Sequence, residues 1–394
     1  MLISVAVLIL LGLFLGQVMK RLHLPSLVGY LLTGILLGPS VLNVLSSEFL
    51  ALSADFRELA LIVILTRAGL SLDINELKKV GRPALLMCFV PAVAEIGATV
   101  LLAPVLFSFS ISEALLLGSI VAAVSPAVVV PRMLKLIQEG YGREKHIPQI
   151  ILAGASVDDV FVLVLFSAFL GMNQGSDFTA STLLQIPSSI ISGLLVGAVV
   201  GWLLAKLFSM YHMRDSIKVL IMLSLCFLLM GLEDVLAGSF AFSGMLSVMS
   251  LSLMLYRFRK PVAQRLAVKF NKLWLAAEIF LFVLVGASVN IAFAYSAGWK
   301  PFVLILFVSG VRMLGVFLAV MGTNLTTKER IFCTISYLPK ATVQAAIGGI
   351  PLALGINNGE MILTIAVISI LTTAPIGALG IDLLYKKLLS KDTA

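Results

Sequence analysis

The chain has 394 residues, of which 60% are hydrophobic and 12% charged, with a formal net charge of +8. Apolar runs near twenty residues recur from end to end, which excludes a soluble globular protein and indicates a polytopic membrane protein, since a helix needs about 20 apolar residues to cross a bilayer. Backbone groups in hydrocarbon must pair internally, and these runs far exceed the roughly 10-residue alternating segments of a membrane barrel, so the expected fold class is all-α.

Taken in order, the runs predict about thirteen spans: near 2–19, 25–43, 56–72, 82–107, 112–137, 147–170, 185–209, 217–232, 235–257, 271–290, 300–321, 329–355 and 359–385. The first, MLISVAVLILLGLFLGQVMKRLHLP, has no basic region ahead of it and no small-x-small cleavage site, so it is expected to be retained rather than removed as a signal peptide. Cys88, Cys226 and Cys333 lie in apolar runs without CxxC spacing and are expected to be buried core residues.

Lys and Arg gather in alternate connections: Lys20 and Arg21, Lys78 to Arg82, Lys135 to His146, Arg214 with Lys218, the RFRKPVAQRLAVKFNK segment (257–272), Lys328 to Arg330, and Lys386, Lys387 and Lys391. This bias predicts an amino terminus outside, a carboxyl terminus in the cytoplasm and an odd number of spans; the expected location is the cell (inner) membrane. The positive charge is then a topology signal. No nucleic acid partner is expected, because the basic residues sit in short loops without a recognition motif.

Two segments repeat. AGLSLDINEL (68–77) resembles VGASVNIAFA (285–294), and AVSPAVVVPRM (123–133) has a counterpart in ISYLPKATVQAAIGG (335–349). Both offsets are about 215 residues, an odd number of spans, which predicts an inverted-topology repeat: residues 1–170, a linker helix at 185–209, and residues 217–385. Pro126 and Pro131 in the fifth span, and Pro339 in the twelfth, each remove an amide donor and clash with the preceding turn. Interrupted helices at membrane depth leave backbone groups that other protein, water or an ion must satisfy. A pair of discontinuous helices at equivalent positions therefore frames an ion site, with Ser125 and Thr342 as hydroxyl neighbours; the alternative is ordinary proline kinking.

The ionisable residues expected at membrane depth are Arg67, Glu95, Asp158, Asp159, Arg312 and Lys340. Asp158 and Asp159 are adjacent, about 100° apart around a helix, so they can face different partners while feeling each other's charge. Two such carboxylates resist simultaneous ionisation, whereas a cation beside them favours it, which sets protons and a metal cation in competition. Glu95 and Arg312, on spans 4 and 11, are expected to form a buried pair, either bracing the protein or handling ions. Arg67 is expected to face a helix end or Asp73. His146 is expected to be a solvated loop residue, with titration near neutral pH as its other reading.

GASVDDVFVLVLF, SYLPKATVQAAIGGIPL and the AVSPAVVVP break together resemble the cation/proton antiporter superfamily, in its sodium/proton branch that includes animal sodium/hydrogen exchangers and bacterial relatives. The resemblance covers essentially the whole chain. It implies a homodimer in membrane lipid, with a dimerisation domain and a mobile six-helix core that contains two crossed discontinuous helices and moves like an elevator. It implies no cofactor: the ions moved are sodium or lithium and protons. By residue, Asp159 resembles the carboxylate that exchanges the cation for protons, Asp158 its neighbour, and Lys340 the base that pairs with Asp158 and releases it on ion binding. Exchange is electrogenic if Lys340 also gives up its proton in each cycle, and electroneutral if it only holds Asp158. A potassium/proton antiporter of the same fold and a sodium-coupled organic-anion symporter are the alternatives. With so little chain after the last span, no soluble regulatory domain is expected.

Overall fold

The computed structural model describes residues 1–71, 81–174, 180–236 and 242–391. Their regular structure is helical, apart from an isolated antiparallel bridge between Tyr141 and Lys391. The helices are α1 (Leu2–Arg21), α2 (Ser26–Leu37), α3 (Ser47–Ala51), α4 (Ser53–Ser71), α5 (Arg82–Met87), α6 (Val90–Phe107), α7 (Ile111–Val121), α8 (Pro126–Glu139), α9 (Ile147–Gln174), α10 (Ala180–Met210), α11 (Asp215–Leu236), α12 (Gly244–Phe258), α13 (Lys260–Ala287), α14 (Ile291–Ala297), α15 (Lys300–Ala319), α16 (Thr327–Ser336), α17 (Thr342–Ile347), α18 (Ile350–Ala353) and α19 (Gly359–Leu388).

Among the described residues, nine helical stretches are long and apolar enough to cross a membrane, and three shorter apolar ones lie at Ser26–Leu37, Gly244–Phe258 and Thr342–Ala353. The thirteen expected spans are thus not all single continuous apolar helices. The run expected at 25–43 stops at Leu37, where Gly38 and Pro39 follow; the residue before a proline is pushed out of helical geometry. The segment read as a basic connection at 257–272 is mostly helix, because α13 begins at Lys260 rather than at 271. Its first turns bury Val262, Ala263, Leu266 and Phe270, an i, i+4 stripe that makes the basic stretch amphipathic. The eighth span is longer than 217–232, running over Asp215–Leu236.

The chain divides into two compact units that interleave in sequence, one from residues 1–53, 74–162 and 281–394 and one from 54–73 and 163–280. In the second unit, a Cβ on Gly193, Gly197 or Gly201 of α10 would run into the backbone of α12 at Ser243, Ser247 and Leu251, so small residues let these two helices touch. The Ser247 and Ser250 hydroxyls donate across the contact to Gly193 O (2.9 Å) and Leu194 O (2.7 Å). In the first unit α6 packs against both α7 and α15, and α16 against α19.

Both interrupted helices start on the same device. Ser110 caps α7 and Thr326 caps α16, each completing a capping box with Glu113 or Glu329, which satisfies amides at the helix start. Each glutamate also reaches toward the start of a further helix: Glu113 accepts from Asn358 Nδ2 (3.0 Å), the residue before α19, and Glu329 from Lys145 Nζ (2.8 Å), just before α9.

Candidate functional site

The helix begun by α7 breaks over residues 122–125 and resumes as α8 with Pro126 in its first turn; the helix begun by α16 breaks over 337–341 and resumes as α17. The two breaks touch: Ser125 N–H donates to Pro339 O at 2.8 Å. Each break also rests on a long helix. Val124 N–H donates to Asp158 Oδ2 on α9 (2.9 Å), and Lys340 N–H donates to Thr373 Oγ1 on α19 (3.0 Å). The Pro339 ring lies against Gly377 of α19, and Tyr337 OH against Gly154 of α9; a Cβ at either glycine would overlap these groups.

The end of α7 leaves carbonyls without intrahelical partners, and side chains from elsewhere take them. Lys340 Nζ donates to Val121 O (2.6 Å), Arg312 Nη1 to Ala122 O, and Gln344 Nε2 to Ala123 O (2.9 Å), with Val121 O a second acceptor at 3.4 Å. Two cations at the negative end of a helix dipole add to the hydrogen bonding. They also face two carboxylates. Arg312 bridges Glu95 Oε2 (3.2 Å) and Asp158 Oδ2 (2.8 Å), and Lys340 Nζ meets Glu95 Oε1 at 2.6 Å. Arg312 Nε donates to Tyr337 O (3.1 Å), and its guanidinium lies 5.6 Å from the centroid of the Tyr337 ring.

Glu95, Asp158, Arg312 and Lys340 are all fully buried at 0% exposure, whereas Asp159 retains 7%. Charges so enclosed persist only where partners compensate them, and each of these four has an opposite charge at salt-bridge distance. Several buried oxygens in the same region accept no hydrogen bond, namely Ser125 Oγ, Thr342 Oγ1, Asp158 Oδ1 and Gln344 Oε1. Oxygen atoms lining an interrupted helix are what a small hard cation exchanges for its hydration shell.

The sequence-derived residues fall in this order. Glu95 and Arg312 meet as expected, while Lys340 does not touch Asp158 and lies on Glu95 instead. Asp158 Oδ2 is held by Arg312 and the Val124 amide. Ser125, Pro126, Pro339 and Thr342 all line the two breaks. Arg67 lies on α4, in the other compact unit; Asp73, its expected neighbour, is outside the described residues. His146 is exposed, and all three cysteines are buried and free. Sequence reasoning missed Gln344, Tyr337 and Thr373; a glutamine two residues beyond Thr342, in an apolar stretch, was the available signal.

Apolar helices of membrane length, two interrupted helices meeting at their breaks and a buried charge cluster beside them define a polytopic membrane transporter of the discontinuous-helix kind. The chain belongs to the sodium/hydrogen exchanger family, whose transmembrane model matches residues 5–387. It is 34% identical to human sodium/hydrogen exchanger 9B2 over 93% of this chain and 70% of that protein, and 30% identical to human sodium/hydrogen exchanger 9B1 over 86% and 67%. The fold is similar to that of the sodium proton antiporter MjNhaP1 from Methanocaldococcus jannaschii at pH 8, with a TM-score of 0.82 and 20% identity, covering 98% of this chain and 97% of that one. The chain is a transporter and not an enzyme.

Proposed function

We propose that this protein exchanges sodium or lithium for protons by elevator-like alternating access, with Asp159 as the exchanging carboxylate. The observation that carries the reading is the contact of the two breaks at Ser125 N–H and Pro339 O, with the Asp158–Asp159 pair anchored to it through Val124. Asp158 is committed to Arg312 and to that amide, whereas its neighbour, on a different face of α9, retains some exposure. The division of labour follows: Asp158 fixes the geometry, and Asp159 alternates between a cation and a proton. Ser125 and Thr342 supply neutral oxygens for the cation, and the Glu95–Arg312 pair braces the site.

Movement of the cluster across the membrane requires that Asp159 be neutralised, since carrying an ionised carboxylate through an apolar passage is costly. Binding one sodium or one proton meets that requirement, and occupancy by neither does not. That condition couples the two fluxes. The two matched anchors, Val124 to Asp158 and Lys340 to Thr373, lie about 215 residues apart, which supports reading 1–170 and 217–385 as inverted repeats with 185–209 as linker. A homodimer with thirteen spans, amino terminus outside and carboxyl terminus in the cytoplasm completes the proposal. The test is proton flux in liposomes carrying the purified protein, read with an internal pH dye as sodium, lithium or potassium is added. Sodium- or lithium-evoked flux is expected, and flux evoked by potassium alone would replace the assignment with potassium exchange.

A further inference from the structure

The donor set at the end of α7 holds one redundancy. Val121 O receives Lys340 Nζ at 2.6 Å and, less closely, Gln344 Nε2 at 3.4 Å, while the same Gln344 nitrogen holds Ala123 O at 2.9 Å. The two carbonyls fix which end of the amide is nitrogen, because an amide oxygen aimed at them would be repelled. Gln344 is fully buried, so its position is set by these contacts and by packing rather than by solvent.

Lys340 has a second place to go. It lies on Glu95 Oε1, yet Asp158 presents an oxygen, Oδ1, that accepts no hydrogen bond. A cation or proton arriving at Asp159 changes the charge beside Asp158 and hence the balance between the two seats. Leaving Glu95 also means leaving Val121 O, a buried carbonyl at a helix end that cannot be abandoned without cost. We infer that Gln344 is a positioning residue for exchange: it takes over Val121 O when Lys340 moves from Glu95 toward Asp158, and so makes that movement fast. The charged and titratable groups around this exchange are Glu95 on α6, Asp158 on α9, Arg312 on α15 and Tyr337 at the second break.

The inference rests on the sodium/proton exchange reading, and its test separates the two. Gln344→Met keeps the bulk of the side chain and removes both donors. In liposomes it is expected to lower the maximal cation-evoked proton flux about tenfold, the scale of one unsatisfied buried carbonyl, with half-saturating sodium unchanged within about twofold. Gln344→Glu is the second variant. Its carboxyl donates one hydrogen bond when protonated and none when ionised, so its flux is expected to drop as pH rises through that ionisation, starting at a lower pH than any drop in the natural protein. Thermal unfolding in detergent identifies a variant that has failed to fold, and the Gln344→Glu pH profile then decides alone. Unchanged maximal flux in Gln344→Met, a matching loss of sodium affinity, or a natural pH profile in Gln344→Glu would overturn the inference. Absence of cation-evoked flux from the unsubstituted protein would instead overturn the exchange reading beneath it.

Discussion

Lys340 Nζ sits 2.6 Å from Glu95 Oε1, so the lysine of the second break is held by a carboxylate on α6 and not by the aspartate pair. Glu95 thereby carries two cations, Lys340 and Arg312, and every charge in the cluster depends on it directly or through Arg312. Glu95→Gln is expected to destabilise the protein by about 3–5 kcal/mol, the usual result of removing one partner from a buried ion pair. Thermal unfolding of the purified protein reads this out. Combining Glu95→Gln with Lys340→Met should cost less than the two single losses together, because the orphaned ammonium is removed as well. Strict additivity would show that the contact carries no energy.

The adjacent aspartates are predicted to fail in different ways. Asp158→Asn removes the charge that faces Arg312 and weakens the anchor of the first break, so it should lower stability by about 1–3 kcal/mol along with transport. Asp159→Asn should leave the unfolding temperature within a few degrees and remove exchange. Equal destabilisation by both would contradict the division between a structural and an exchanging carboxylate.

Glycines under the second break offer a steric test. Gly377→Ala places a Cβ against the Pro339 ring, an overpacking predicted to cost about 1–3 kcal/mol and to slow exchange by displacing the break. Gly97→Ala on α6 and Gly310→Ala on α15 are the controls, since nothing lies within 4 Å of a Cβ at either site. Both should be neutral or slightly stabilising, alanine being the better helix former. A Gly377→Ala protein as stable and active as the controls would mean that the break does not need its close seat on α19.

Charge counting bears on stoichiometry. Glu95, Asp158, Arg312 and Lys340 are two acidic and two basic side chains joined by salt bridges, and the proposed cycle changes the charge of Asp159 alone. One sodium is then exchanged for one proton. Sodium-driven proton movement should run at the same rate under clamped membrane potentials of either sign. A rate that follows the potential would mean that Lys340 gives up its proton as well, the electrogenic case.

Much of this site can be read from residue order, because prolines and charges at membrane depth stand out against an apolar background. Pro126 and Pro339 mark the breaks, and Glu95 and Arg312 identify each other as the buried opposite charges on spans 4 and 11. What residue order does not carry is the distance between helices. Lys340 is free by sequence to meet either Asp158 or Glu95; in the structure it lies on Glu95, while Arg312 and Val124 hold Asp158 Oδ2. The proposed repeat is similarly half hidden. Asp158 and Thr373 perform one task, accepting an amide at a break, yet share neither charge nor size. The helical start of α13 was masked by its lysines and arginines, whose apolar neighbours bury while the charges face outward.

The central claim is that Asp159 is where cation and proton compete. The most direct measurement compares the unsubstituted protein with Asp159→Asn in liposomes, recording internal pH as sodium or lithium is added across pH 6 to 9, with equal insertion confirmed for both. The account predicts cation-evoked proton movement in the first and none in the second. Undiminished exchange by Asp159→Asn would contradict it.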